Sequence, residues 1–244
     1  MSGRLSNYRL FLKEFRRTFH TTGAILPSSP GLARALARFV PAADAVAAAT
    51  CESSSATGVV APITSGESAS AEPASPRRIL EVGPGTGAVT SQIIASMGAT
   101  DQLDMVELND QFVAHLQKRF AGEPAFQTVA DRARIIHDDL LSLPAEPTYH
   151  AIVSGLPLNN FPSAAVDELL ASMRKLLLPE GTLSFFEYIA VRPMRRVVSG
   201  KKERQRLREI SSILGGLFAE HEIRRDAAML NVPPAWVHHL RFCG

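Results

Sequence analysis

The sequence is poor in the residues that mark secreted, metal-binding and membrane-spanning proteins. Its two cysteines, Cys51 and Cys243, belong to no disulfide framework and no metal-ligand pattern, so we predict no metal site and a reduced, cytosolic setting. No stretch approaches the roughly 18 consecutive apolar residues of a membrane span, and the N-terminus lacks the apolar run of a signal peptide. With 45% apolar and 20% charged residues, the chain can bury one sizeable core.

The net charge of +2 conceals an uneven distribution of basic residues. Residues 1–20 and 191–208 hold 13 of the 26 basic residues but only two of the 24 acidic ones, which leaves the rest of the chain with 13 basic and 22 acidic residues. Two basic patches on an acidic body favour a polyanionic partner, either a nucleic acid or an anionic bilayer, over ordinary solvated helix faces.

Residues 4–20 have the spacing of an amphipathic helix with a cationic flank. Apolar side chains recur at steps of three and four, and basic residues fall mostly between them. Such a helix can bury its rings at a lipid headgroup boundary while its basic residues meet anionic lipid, or it can pack on the folded domain. The residues predicted to meet membrane or substrate here are Phe11, Phe15, Arg16, Arg17, Phe19 and His20.

The next 56 residues divide into a helix and a low-complexity stretch. A second helix is predicted from Pro30 to about Val40, with Ser29 as its N-cap. Residues 42–76 are rich in Ala, Ser, Thr, Pro and Gly and lack periodicity, which indicates a flexible insertion and not a site.

Beyond residue 76, strand and helix patterns alternate, which predicts an α/β fold with a doubly wound, mainly parallel sheet. An antiparallel hairpin is expected at the end, because the Pro-Pro link between the last two strands cannot be helical. Strands are predicted at 77–82, 102–108, 133–139, 150–155, 181–190, 222–230 and 236–242, and helices near 88–97, 109–120, 163–177 and 200–218.

A glycine-rich turn, EVGPGTG, follows the first predicted strand and opens a helix. Its glycines let the backbone approach a ligand at the carboxyl end of a strand, where open α/β sheets bind their ligands. Glu107 ends the next strand, where a carboxylate can accept both hydroxyls of a ribose, and Asp139 ends the third, where it could accept from an adenine amino group. Three carboxylates fit S-adenosylmethionine better than NAD, whose pyrophosphate prefers a site without acidic neighbours.

On these motifs the chain resembles class I S-adenosylmethionine-dependent methyltransferases over residues 77–190, which implies a Rossmann-like fold. The resemblance implies that S-adenosylmethionine is the cofactor and S-adenosylhomocysteine the product. The cofactor-binding residues that it implies are Glu81, Gly83, Gly85, Gly87, Glu107, Leu108, Asp138, Asp139, Ser154 and Gly155.

The stretch VSGLPLNNFP follows the fourth predicted strand, at the place of a substrate loop. Methyltransferases of adenine carry an Asn/Asp-x-Pro-aromatic motif there, whose polar group orients the amine and whose ring stacks on the base. Here the corresponding residues are Gly155, Leu156, Pro157 and Leu158, which lack both groups. The loop therefore favours a flexible aliphatic amine over a flat base.

Three stretches together resemble the bacterial phospholipid N-methyltransferases, which include rhizobial-type phosphatidylethanolamine and ornithine lipid N-methyltransferases. They are GLPLNNFP, the N-terminal FLKEFRRTFHTTGAILPSSPGLARAL and the C-terminal NVPPAWVHHLRF. The resemblance implies methylation of an aminolipid amine by a monomer attached to the inner face of the cytoplasmic membrane, without nucleic acid. It divides the chain into amphipathic helices (1–41), the insertion (42–76) and a methyltransferase domain (77–244).

A lipid ammonium resembles that of lysine, with a pKa near 10.4, so a group must lower that pKa or accept the proton. Tyr8, Glu187 and Tyr188 rank first as catalytic candidates. The remaining lipid-site candidates are Leu156, Pro157, Leu158, Arg195, Arg196 and His238. The alternative is an rRNA or DNA adenine N6-methyltransferase, since the basic patches suit it too. A third hypothesis is a non-catalytic binding protein of the same fold.

Overall fold

The computed structural model describes residues 28–40, 76–189 and 201–242. The helices are α1 (Pro30–Leu36), α2 (Ala88–Ser96), α3 (Asp110–Gly122), α4 (Pro124–Gln127), α5 (Ser163–Leu176) and α6 (Lys201–His221). The strands are β1 (Arg78–Val82), β2 (Gln102–Val106), β3 (Ala133–Ile136), β4 (Tyr149–Ser154), β5 (Leu177–Tyr188), β6 (Glu222–Ala228) and β7 (Ala235–Arg241). Short 3-10 turns cover Ala37–Phe39, Leu140–Ser142 and Leu158–Asn160.

The described strands form one seven-stranded sheet in the order β3-β2-β1-β4-β5-β7-β6. The first five run parallel, and β7 pairs antiparallel with both β5 and β6. The carboxyl ends of β1, β2, β4 and β5 therefore share one edge with the beginning of β7, because β7 runs the opposite way. We call this edge the site edge, since ligands of open α/β sheets bind there.

Both faces of the sheet are covered by helices, as the mainly parallel topology requires. One core contains Leu169 and Met173 of α5 and Ile210 of α6. The other contains Leu32 and Leu36 of α1 with residues of α2. Residues 30–40, assigned from sequence to an N-terminal attachment unit, are thus packed on the sheet in this structure.

The strand and helix pattern predicted from the sequence is confirmed, including the closing hairpin. The third strand is shorter than predicted and ends at Ile136, because Asp138 and Asp139 bind nearby backbone amides instead of continuing the ladder. The fifth strand begins earlier, at Leu177, and bends at Glu180, whose φ is +61°. No helix within the described ranges is long and apolar enough to cross a membrane.

Candidate active site

The glycine-rich turn between β1 and α2 uses backbone conformations that favour glycine. Gly83, Gly85 and Gly87 have φ of +69°, +56° and +79°, which side chains rarely tolerate. A Cβ built on Gly85 would meet no atom within 4 Å, so the turn is open on that side. The turn therefore presents bare backbone at the site edge, as a ligand cradle requires.

Arg119 of α3 supports this turn from behind. Its guanidinium donates to the carbonyl oxygens of Thr86 (2.9 Å) and Gly87 (2.8 Å) and to the hydroxyl of Ser91 (3.2 Å). Glu123, one helical turn on, holds the same guanidinium through two hydrogen bonds. Arg119 thus fixes the carbonyls of the turn, a role that sequence reasoning missed because the contact spans more than 30 residues.

Glu107 follows β2 directly and faces the turn. Its carboxylate accepts hydrogen bonds from the backbone amides of Gly85 (3.2 Å) and Asn109 (2.8 Å). Asn109 in turn caps α3 by accepting from the amide of Gln111. The predicted ribose acceptor is therefore buried at the site edge and joined to the glycine-rich turn.

Glu81 lies in β1 and is fully buried. Its pKa is raised to about 8, mainly by burial and also by the charge of Glu107, against a hydrogen bond from the hydroxyl of Thr90 (2.7 Å) that lowers it. Its Oε1 has no hydrogen-bond partner among the described residues. Glu81 is therefore a neutral carboxyl at pH 7 with unused hydrogen-bonding capacity.

Asp138 and Asp139 follow β3 at the same edge. The exposed Asp138 accepts from the amide of Asp139 (2.7 Å), and the buried Asp139 accepts from the amide of Leu141 (3.0 Å) as the cap of a 3-10 turn. Leu108, also predicted to bind the cofactor, packs against the core on the α5 side. The capping contact fixes the carboxylate of Asp139 in the turn that follows β3.

The substrate loop after β4 comes very close to the glycine-rich turn. A Cβ built on Gly155 would lie 2.6 Å from the carbonyl oxygen of Gly83, and one built on Gly83 would lie 2.6 Å from the side chain of Leu156. The amide of Gly155 donates to Val82 (2.8 Å), and the hydroxyl of Ser154 accepts from the amide of Leu156 (3.3 Å). Any side chain at position 155 therefore requires the two loops to separate.

The rest of this loop turns inward. Leu158 is buried in the core and Pro157 is buried as well, and their role as substrate contacts stays a prediction. Arg206 of α6 holds the loop by donating to the carbonyls of Asn159 and Phe161. The side chain of Asn159 is 1% exposed, and neither its Nδ2 nor its Oδ1 has a hydrogen-bond partner among the described residues.

Glu187 and Tyr188 are the last residues of β5 and reach the site edge two strands from β1. Tyr188 packs against Phe186 at 5.1 Å, and burial raises its pKa. His238 is 3% exposed, stacks on Phe218 and binds Glu222. The buried ring does not face a membrane surface, and its role as a substrate contact stays a prediction.

The other predicted lipid-site and catalytic residues lie outside the described residues. They are Tyr8, Phe11, Phe15, Arg16, Arg17, Phe19, His20, Arg195 and Arg196. The described ranges contain no cluster of three or more side chains that could hold a metal ion.

The site residues fit S-adenosylmethionine. The open side of Gly85 accommodates a ligand against bare backbone, and Glu107 stands next to it as an acceptor for ribose hydroxyls. The free oxygen of Glu81 and its elevated pKa suit a ligand that carries positive charge, since a nearby cation stabilises the carboxylate.

Comparisons with known proteins agree with this assignment. Residues 79–181 match the family described as a methyltransferase domain. The carbon methyltransferase CurJ has a similar structure, with a TM-score of 0.50 and 16% identity over 72% of this chain and 50% of that one. At such identity the likeness shows the fold alone.

Two curated relatives differ in how much of the chain they match. Ribosomal RNA small subunit methyltransferase A of Synechococcus sp. (strain RCC307) is 42% identical over 85 residues, 33% of this chain and 28% of that protein. The ornithine lipid N-methyltransferase of Singulisphaera acidiphila is 24% identical over 180 residues, 74% of this chain and 77% of that protein. The family match, the sheet order and the site residues together identify this part of the chain as a class I S-adenosylmethionine-dependent methyltransferase domain.

Proposed function

We propose that the protein is an N-methyltransferase that transfers methyl groups to the primary amine of a membrane aminolipid, either an ornithine lipid or phosphatidylethanolamine. The observation that carries this proposal is the contact between Gly155 and Gly83. The carbonyl oxygen of Gly83 occupies the space where a side chain at position 155 would begin. An adenine-orienting Asn or Asp therefore has no room there.

The position of the stacking ring supports the same conclusion. Leu158 stands where adenine methyltransferases carry an aromatic residue, and it is buried in the core beneath the loop. A flat base at this loop would lose stacking worth about 1–3 kcal/mol. An aliphatic amine loses nothing, because it needs only an acceptor and a path to the methyl donor.

Asn159 offers such an acceptor. Its buried amide leaves both polar atoms without partners among the described residues, and an unsatisfied buried polar group costs about 1–3 kcal/mol. In this proposal a substrate amine takes up that capacity, and Arg206 holds Asn159 in place through its carbonyl. When bound, S-adenosylmethionine supplies an electrophilic methyl group, so the chain mainly has to align the amine with it.

The amine must also be neutral to react. A headgroup amine with a pKa near 10.4 is mostly protonated at pH 7. The apolar surfaces of Leu156 and Pro157 disfavour the charged form by desolvation. Glu187 and Tyr188 remain the candidates for handling the proton among the described residues, since they are the last two residues of β5 at the site edge.

The extent of similarity to the ornithine lipid enzyme also supports a lipid substrate, because the match covers 77% of that protein. The second candidate function is methylation of adenine in ribosomal RNA, which is favoured by 42% identity over 85 residues to a ribosomal RNA methyltransferase. That match covers only 28% of the RNA enzyme.

Methyl transfer from labelled S-adenosylmethionine distinguishes the two. The full-length protein is incubated with vesicles containing phosphatidylethanolamine, with vesicles containing ornithine lipid, and with unmethylated ribosomal RNA. We expect label in a lipid fraction and none in RNA. Label in RNA with unlabelled lipids would refute the lipid proposal. The Asn159→Ala variant, which leaves the cofactor residues intact, shows whether transfer depends on the loop.

A further inference from the structure

The turn between β6 and β7 exposes an unusual amount of apolar surface. Met229, Leu230 and Val232 are 60%, 95% and 69% exposed. The polar residue between them, Asn231, is buried and points its side chain inward to the backbone of Ser29 and Pro233. Residues 229–232, here called the hairpin tip, thus turn three apolar side chains outward.

The hairpin tip is held firmly. Asn231 accepts from the amide of Ser29 at 3.0 Å and donates to the carbonyl of Pro233 at 2.8 Å. Its own amide donates to Ala228, and the amide of Ile189 donates to Pro234. A fixed apolar protrusion has a low entropy cost of insertion into another phase, because its backbone is already ordered.

The tip also lies at the site edge. Ala235, the first residue of β7, pairs with Tyr188, the last residue of β5. The turn that precedes Ala235 is therefore on the same edge as the glycine-rich turn after β1. Through Ser29 the tip is joined to the start of α1, which follows in the sequence the segment of residues 4–20 predicted to be basic and amphipathic.

Just behind the tip stands a pair of side chains typical of a membrane boundary. Trp236 is the second residue of β7, and the guanidinium of the exposed Arg225 lies 5.0 Å from the centre of its ring. Tryptophan favours the headgroup level of bilayers, and arginine favours anionic headgroups. Apolar residues at the tip and a Trp–Arg pair behind it match the order of environments across a membrane interface.

We propose that the hairpin tip inserts into the headgroup boundary of an anionic bilayer and turns the site edge toward the lipid surface. This inference rests on the proposed lipid substrate only to explain why the site edge faces the lipid surface. Insertion of the tip itself needs no aminolipid. Insertion of the tip orients the cofactor site toward headgroups in the membrane plane.

The single tryptophan of the chain makes the test direct, because all tryptophan emission comes from Trp236 in the hairpin. The full-length protein is mixed with vesicles of phosphatidylglycerol and phosphatidylcholine, which contain no primary amine, with and without lipids brominated near the headgroup. We expect quenching of Trp236 by the brominated lipids and co-sedimentation of the protein with anionic vesicles. No quenching in vesicle-bound protein would overturn the proposal.

The variants are the double substitution Met229→Ser with Leu230→Ser and, as a matched control, Ile223→Ser. Ile223 is an apolar residue of β6 that is 43% exposed and lies at the end of that strand away from the tip. We expect the double variant to bind vesicles about tenfold more weakly and the control to bind as the wild type does. Equal binding by all three proteins refutes insertion of the tip.

Methyl transfer separates this inference from the proposed function. The double variant is expected to methylate monomeric dihexanoyl phosphatidylethanolamine at the wild-type rate but to lose activity on vesicles containing phosphatidylethanolamine. If the wild type binds vesicles through the tip but methylates no lipid, the proposed lipid substrate is wrong and insertion of the tip is supported. If the wild type is a dimer in solution and the double variant a monomer, the tip is a contact between copies and the proposal is wrong.

Discussion

Replacing the buried Glu81 with glutamine tests the electrostatics of the cofactor site. In the folded protein its carboxyl has a pKa of about 8, against 4.5 when exposed to water. Its contribution to stability is therefore fully present below pH 4.5 and is lost as the pH rises through 8. At 1.36 kcal/mol for each unit of pKa, the loss between pH 4.5 and 8 is about 4 kcal/mol.

The Glu81→Gln variant keeps the shape of the side chain but cannot ionise. The unfolding free energy of the variant minus that of the wild type should increase by about 4 kcal/mol from pH 4.5 to pH 8, because only the wild type loses stability through this group. Urea unfolding followed by circular dichroism at pH 5, 6, 7 and 8 measures this difference. A difference that stays constant across these pH values would refute the assigned burial of Glu81. Thr90→Val, which removes a hydrogen bond that lowers this pKa, should shift the loss to higher pH.

The same group links cofactor binding to pH. A cationic ligand stabilises the ionised form of Glu81, and the ionised fraction at a pKa of about 8 falls about 50-fold between pH 8 and pH 6. Affinity for S-adenosylmethionine should fall by up to that factor in the wild type and far less in Glu81→Gln. Titration calorimetry at both pH values measures it, and S-adenosylhomocysteine, which lacks the sulfonium charge, is the ligand control. Equal wild-type affinities at pH 6 and 8 would show that Glu81 does not ionise on binding.

Three further substitutions test the loops around the cofactor. Arg119→Ala frees the carbonyls of Thr86 and Gly87 and should raise the Kd for S-adenosylmethionine about tenfold. Arg119→Lys should have an intermediate Kd, because lysine lacks the fork geometry. An unchanged Kd in the alanine variant would show that the turn keeps its shape without Arg119. Gly155→Asn should lower the free energy of unfolding by about 1–3 kcal/mol without creating adenine methylation, since its Cβ meets the carbonyl of Gly83. Asn159→Ala should raise KM for lipid about fivefold without lowering stability, because its amide has no described partner to lose; reduced stability with unchanged KM would assign it to the fold.

The sequence predicts well those features that depend on short spacings. Strand and helix periodicity locate the sheet, and the glycine spacing with a carboxylate about 20 residues later locates Glu107 beside Gly85. Both signals lie in short stretches of sequence. Neighbouring strands of a parallel sheet end at the same edge, so residues that follow these strands come together without any longer-range information. The absence of a polar side chain at position 155 was also visible, although only the structure shows the backbone of Gly83 in its place.

Features built from distant segments were not predictable in the same way. Arg119 reads as one half of an ordinary i, i+4 ion pair with Glu123 until the fold brings it to Thr86. The bond between Asn231 and Ser29 joins residues 202 positions apart. His238 and His239 read as a polar pair at the end of a strand, but the hairpin buries both rings. No local pattern records that β7 lies between β5 and β6 with side chains buried on both of its faces.

His239 gives the pH dependence of stability a second component that acts against the first. Burial lowers its pKa from 6.5 to about 4, despite Asp226 beside it, so its contribution to stability is present above pH 6.5 and is lost as the pH falls toward 4. Between pH 4.5 and 6.5 the slopes from Glu81 and His239 are opposite and cancel, and above pH 6.5 only that of Glu81 remains. From these two groups, the wild-type unfolding free energy should be level between pH 4.5 and 6.5 and fall by about 2 kcal/mol by pH 8. In Glu81→Gln the same measurement should instead rise from pH 4.5 to 6.5 and then stay level, because of the two groups only His239 is left to titrate; a variant curve parallel to that of the wild type would contradict the assignment of Glu81, and a variant curve that does not rise would contradict that of His239.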